Sequence, residues 1–202
     1  PDARAALEAE LGLDKPLLVQ YWDYISGVIF RGDLGIAYAT SRFPVWDLIT
    51  SRLPATIQLI VMAQIISLVI SVPLAMLSAY RANTATDKAI STAAFGMISL
   101  PSFAMAVFFV YLFALQLDWL PALGYKRITG PEGLGANLRS VALPVAVLAA
   151  GLTAVYTRLL RSDLIATLQE DFILMARSKG LPTWHILLRH ALRPSSFSLL
   201  TV

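Results

Sequence analysis

The sequence predicts an all-α protein that crosses a membrane several times. Three observations predict it. Only 14% of residues are charged while 57% are hydrophobic, against about 25% charged in ordinary soluble domains. The deficit is concentrated. The 28 residues between Arg52 and Arg81, the 29 between Lys88 and Asp118, and the 18 between Arg139 and Arg158 contain no Asp, Glu, Lys or Arg. About 20 mostly apolar residues cross a hydrocarbon core of about 30 Å as a helix, so these stretches predict spans at about 55–80, 89–117 and 140–160. Lipid gives backbone groups no hydrogen-bond partner, which is why each span is read as a helix.

Residues 1–54 read as an extracytoplasmic entry region with amphipathic helices. Pro1–Leu11 are mixed and charged, unlike a signal peptide or a span. Asp14 is a suitable N-cap for a helix starting near Lys15 or Pro16. Leu17, Leu18, Tyr21, Trp22, Ile25, Val28 and Ile29 then form one helical stripe. Gly32-Asp33-Leu34-Gly35 signals a turn. A short separate helix is expected from Pro44 to about Leu53, with Pro44 at its first position. Tyr38, Phe43 and Trp46 suit a membrane interface, where an aromatic body meets lipid and a polar edge meets water.

Pro73 should kink the first span. Its small residues Ala63, Ser67, Ser71, Ala75 and Ala79 recur every fourth position, a spacing that lets another helix approach closely. The second span carries Ser99-Leu100-Pro101-Ser102 at its middle. Proline frees a carbonyl that neighbours must satisfy. The segment is either a structural kink or a broken helix lining a translocation pathway, and Ser99, Pro101 and Ser102 are the candidate pathway residues. A loop with Trp119, Pro121, Gly124, Gly130, Pro131 and Gly133 follows. Ala142, Ala146, Ala150 and Ala154 give the third span a small-residue stripe of its own.

Lys and Arg set the orientation. Segments 81–88 and 158–194 carry 8 in 45 residues, whereas 1–54 and 118–140 carry 8 in 77. The richer side is expected to be cytoplasmic. An external entry region followed by three spans further implies a span before Pro1. The same rule accounts for the net charge of +3 without nucleic acid as a partner. Arg158, Arg161, Arg189 and Arg193 are read as solvated topology signals in preference to sites for anionic lipid heads.

Several chemistries lack their residues. There is no cysteine, and so no disulfide. His185 and His190 are five apart, which does not put them on one α-helical face as metal ligands. No glycine-rich phosphate loop occurs, so ATP hydrolysis is not expected of this chain. Ser67, Ser71 and Ser99 have no His or carboxylate at helical spacing, against an intramembrane enzyme. No ionisable residue lies deep in a span. That argues against a proton-coupled secondary transporter, the main alternative reading, and directs attention to energy entering from the cytoplasmic side.

The entry point is 169–183. Glu170 and Asp171 place negative charge at a helix start. Arg177 and Lys179 fall in its last turn, Gly180 stands as the C′ residue, Pro182 stops it, and Thr183 can cap the next helix. A helix of about two turns, Phe172–Lys179, results. Phe172, Leu174, Met175 and Ala176 can fill a hydrophobic groove on a partner while the basic end meets an acidic rim.

The run from Ala176 to Pro194, ARSKGLPTWHILLRHALRP, resembles the cytoplasmic EAA loop of ABC importer permeases, in the version found in the dipeptide, oligopeptide and nickel permease family. Gly180 matches its glycine, Ala176 its second alanine and Leu192 its later aliphatic. Leu174 and Met175 depart from the general Glu-Ala pair, and Arg193 stands where the general pattern has proline. Arg177-Ser178-Lys179-Gly180-Leu181 and Arg189-His190-Ala191-Leu192 are similar to the peptide branch. Leu11–Leu17, Gly32–Gly35, Arg52–Thr56, Ser99–Phe103 and Trp119–Pro121 resemble the family in the same order.

The resemblance implies a type I ABC importer permease fold that typically has six spans. This chain would hold the second to fourth, the coupling loop at about 169–183 and the start of the next span at 184–202. It implies a permease subunit in a bacterial cytoplasmic (inner) membrane, with lipid around it and a homologous second permease beside it. Two ATPase subunits would hold ATP and Mg, and an extracytoplasmic binding protein would deliver dipeptides, oligopeptides or a similar small solute. The coupling residues it implies are Glu170, Asp171, Phe172, Met175, Ala176, Arg177, Lys179, Gly180 and Leu181. No cofactor or metal is implied on this chain.

Overall fold

The computed structural model describes residues 15–37, 43–128 and 130–200. The expectations for Pro1–Leu11, Asp14 and Tyr38 lie outside those residues. By internal contacts the chain divides into a unit 1–56 and a unit 57–202.

In the first unit, α1 spans Leu17–Ser26 and continues as a π-helical turn, Gly27–Arg31. It starts just after Pro16, whose extended ψ of 143° leaves its carbonyl to accept the amides of Val19 and Gln20 at 2.9 and 3.1 Å. None of its residues is buried in this chain, and Leu17, Leu18, Tyr21 and Trp22 are exposed. The expected turn contains two left-handed glycines, Gly32 at φ +66° and Gly35 at φ +78°, a conformation that favours glycine. The Gly35 amide donates to the Asp33 carboxylate at 2.9 Å. Two short strands follow, β1 Ile36–Ala37 and β2 Phe43–Pro44, paired antiparallel.

The separate helix expected at 44–53 is not formed. Pro44 belongs to β2, and one helix, α2, runs Val45–Tyr80 straight through Pro54. Proline removes one amide donor but its φ is helical. The carbonyl it frees, on Thr50, belongs to an exposed residue.

The second unit begins within α2 at Ile57. It continues with α3 Ala85–Ser99, α4 Ser102–Phe109 extended by a π-helical Val110–Gln116, α5 Gly133–Thr167 and α6 Asp171–Ser178. The short α7 Thr183–His185 runs into a π turn, Ile186–Ala191, and α8 Leu192–Ser195. At about 1.5 Å per residue, α2 and α5, with 36 and 35 residues, both exceed a hydrocarbon core in length.

The burial of α2 is inverted by size. Ala63, Ser67, Ser71, Ala75 and Ala79 are each at most 4% exposed, while Ile60 and Val69 are 60% and 67% exposed. The small stripe is therefore a packing face, and the bulky side chains turn outward as lipid allows. Ala63 packs with Val141, Val145 and Ala149 of α5. Further along, Ala75 and Ala79 pack with Leu160 and Leu164. The second expected stripe is not the buried one: of Ala142, Ala146, Ala150 and Ala154 only Ala154 is buried. A flat face on α2 leaves room for larger residues, so α5 presents valine and leucine to it.

Two expected spans change form. The second is not one kinked helix. Ala85–Ser99 and Ser102–Gln116 meet at 100°. Leu100 is extended, with ψ 126°, as the residue before proline tends to be. The third helix outruns 140–160 at both ends, running from Gly133 to Thr167 through Arg139, Arg158 and Arg161, because a charged side chain does not stop a helix. By length and composition α2 and α5 can each cross a membrane, with the bent pair as a third candidate.

Candidate functional site

The candidate site is α6 and its surroundings. Glu170, in extended conformation with ψ 149°, opens the helix, and its carbonyl accepts from Ile173 at 3.0 Å and Leu174 at 3.3 Å. Asp171 sits in the first turn and Arg177 in the last, each favourable to the helix dipole. Gly180, at φ +74°, closes the far end. Its amide donates to Arg177 O at 2.9 Å and that of Leu181 to Ala176 O at 3.4 Å. These two bonds form a Schellman motif, and Leu181 packs against the cluster containing Ala176.

One face of α6 is inside and the other is free. Ile173 and Ala176 are 1% and 6% exposed, packed in one cluster with Ala75, Ala79, Leu160 and Leu164. Phe172, Leu174 and Met175 are 45%, 62% and 60% exposed. Glu170, Asp171, Arg177 and Lys179 are exposed as well. The expectation that Ala176 fills a partner's groove is corrected here. It lies one turn from Ile173 on the inward face, so it anchors α6 to its own subunit. A cavity of about 700 Å³ opens alongside, lined by residues including Tyr80, Ala82, Gln169, Arg177, Leu181 and Thr183.

Beside this platform lies a charged cluster that the sequence reading missed. Asp87, in the first turn of α3, is 3% exposed. Its carboxylate accepts from Arg161 Nε and Nη2 of α5, both at 2.6 Å, and from the Asn83 amide at 2.8 Å. The Ser78 hydroxyl of α2 also donates to it. Arg161 is thus a structural partner and not a free topology charge. Arg158 lies over the Phe95 ring of α3 at 4.3 Å. Charge counting hid Asp87, because it falls at the edge of an uncharged stretch and reads as loop. A usable signal was the pair of a lone acid and an arginine flanking two adjacent spans.

The opposite end of this unit is held by neutral groups. Gln58 donates to Asn137 at 2.5 Å and accepts from Tyr125 at 3.0 Å, while Asn137 also donates to the Lys126 carbonyl. Between the ends, Tyr156 and Gln64 are within 3.0 Å.

The candidate pathway residues Ser99, Pro101 and Ser102 lie together at the α3–α4 break and are exposed. The Ser99 hydroxyl donates to Phe95 O at 2.8 Å, a local bond within α3. The two histidines also differ from expectation. The π turn advances by about one extra residue, which brings the His185 and His190 rings to 5.6 Å. Among the described residues no three His, Cys, Asp or Glu gather as metal ligands.

A helical membrane unit whose last long helix leads into a short exposed helix and a glycine reversal has the fold of a type I ABC importer permease. Residues 71–202 match the binding-protein-dependent transport system inner membrane component, and residues 1–60 match the N-terminal part of the membrane component of such systems. The chain belongs to this family. It is 34% identical over 203 residues to a candidate peptide transport system permease protein of Brucella abortus, covering 100% of this chain and 63% of that protein. A candidate peptide permease protein of Brucella ovis is 34% identical over 197 residues, 98% of this chain and 61% of its own. The oligopeptide transport system permease protein OppB of Escherichia coli K12 is 31% identical over 201 residues, 100% of this chain and 63% of its own. The chain thus spans under two thirds of the length of these relatives.

Proposed function

We propose that the protein is the transmembrane permease subunit of an ATP-driven importer for dipeptides, oligopeptides or a similar small solute. It sits in a bacterial inner membrane and docks a separate ATPase through α6. The observation that carries the reading is α6 itself. It is a two-turn helix with its apolar residues divided between an anchored face and a free one, and it is closed by a left-handed glycine. In the proposed assembly a second, homologous permease completes the pathway. Two ATPase subunits hold ATP and Mg, and an extracytoplasmic binding protein delivers the solute. Phe172, Leu174 and Met175 enter a groove on the ATPase, with Glu170, Asp171, Arg177 and Lys179 at the rim. Leu181 seats the helix against its own subunit. Ser99, Pro101 and Ser102 are assigned to the pathway on the exposure of the helix break. The peptide class follows the names of the relatives.

The test is purification of the full-length subunit from its native membrane with whatever ATPases and binding protein accompany it. We expect ATPases to co-purify, and Met175→Asp to remove them by placing a charge on the free face. Gly180→Asp should leave the subunit inserted but uncouple uptake of labelled peptide from ATP hydrolysis, because a side chain at this left-handed position strains the turn that ends α6. Undiminished co-purification of ATPases with Met175→Asp would reject α6 as the docking element.

A further inference from the structure

Docking alone leaves the cluster around Asp87 unexplained. Its donors come from four places in the chain: Ser78 on α2, Asn83 in the following turn, Ser91 one turn on in α3 and, most closely engaged, Arg161 on α5. The arginine grips both carboxylate oxygens, at 2.6 Å each, and such bidentate pairs fix orientation as well as distance. Stability is a poor reason for the arrangement, since a buried ion pair often contributes no more than an apolar replacement of the same volume. Position is a better one. Ser78 adjoins Ala79, and Arg161 adjoins Leu160, and both neighbours belong to the cluster that buries Ile173 and Ala176 of α6. The Arg158–Phe95 contact joins α5 to α3 a second time, two turns along α3 from Asp87. The far end of α3 is the 100° break into α4.

We propose that Asp87 and Arg161 are positioning residues that fasten α3, and through it the bent α3–α4 pair, to the platform carrying α6. A displacement of α6 then carries the bent pair with it. The inference rests on α6 being the ATPase-docking helix, but it concerns how motion spreads within this subunit.

These 202 residues contain no cysteine, so two labels placed among them are distinct once any cysteine elsewhere in the full-length subunit and its partners has been replaced by serine. Lys88 on α3 and Ser162 on α5 are exposed and flank the clamp. Spin labels at Lys88→Cys and Ser162→Cys are read in the full-length subunit within its purified complex, in nucleotide-free and ATP-vanadate-trapped states. We expect one narrow distance that is the same in both states. With Asp87→Asn added, that distance should broaden or shift on trapping. Labelled tripeptide taken up per ATP hydrolysed should fall roughly tenfold, within the usual range of coupling between linked sites, while the ATPases still co-purify. The exchange Asp87→Arg with Arg161→Asp should restore part of the uptake, which a loss of packing alone would not allow. A Lys88–Ser162 distance that changes on trapping without any substitution at Asp87 overturns the inference, even if that substitution prevents folding. Retention of the ATPases by Met175→Asp rejects the docking reading instead, so the two can fail separately.

Discussion

The two ends of the second unit tie helices together with different chemistry. At one, Gln58, Tyr125, Asn137 and the Lys126 carbonyl form a neutral network. At the other, Asp87 and Arg161 meet as ions with Ser78 beside them. Both arrangements satisfy polar groups that packing has removed from solvent. They differ in how they fail. A neutral amide that loses its partner strands one dipole, whereas an ion that loses its partner strands a full charge. The neutral end is therefore tolerant, and the charged end is close to all-or-none.

That contrast can be broken, beginning with the largest effect. Arg161→Leu should destabilise the subunit by about 3–5 kcal/mol by leaving Asp87 buried and unpaired, read as unfolding in mixed micelles. Asp87→Leu combined with Arg161→Leu should recover most of the loss; if the double variant is as unstable as the single one, charge is not what distinguishes this end. Next in size, Asn137→Ala should cost about 1–3 kcal/mol, the usual penalty for stranding buried polar groups. Changing Gln58 and Asn137 to leucine together should cost less than Asn137→Ala alone. The smallest effect is expected at the ion pair of Lys126 with Glu132, whose side chains are 48% and 56% exposed. Lys126→Ala should change stability by less than about 1 kcal/mol, with raised salt making little further difference. A larger loss there would show that the neutral end also depends on charge.

The parts of this architecture legible in the sequence are those governed by spacing. Five small residues four apart disclosed the packed face of α2, because helical periodicity maps directly onto side. Gly180 followed by Pro182 disclosed where α6 ends, because a left-handed terminus favours glycine. Geometry without spacing was not legible. Pro101 announced a break, but nothing in a proline fixes an angle of 100°. The π turn at Ile186–Ala191 carries no residue signature, so the approach of His185 and His190 escaped a reading based on 3.6 residues per turn. Ala176 was assigned to the wrong face because residues 172–176 are all apolar and give no phase. Asp87 was lost because it stands just outside an uncharged stretch, beside Lys88, where a count of charges reads loop.

The Schellman turn at Gly180 has one more consequence. With Glu170 accepting the first amides and Arg177 and Ala176 accepting the last, α6 is complete before anything touches it. A surface that binds Phe172, Leu174 and Met175 thus meets a knob already folded and seated. Docking of α6 as proposed would then not have to order that stretch of backbone, leaving more of the contact free energy for selectivity.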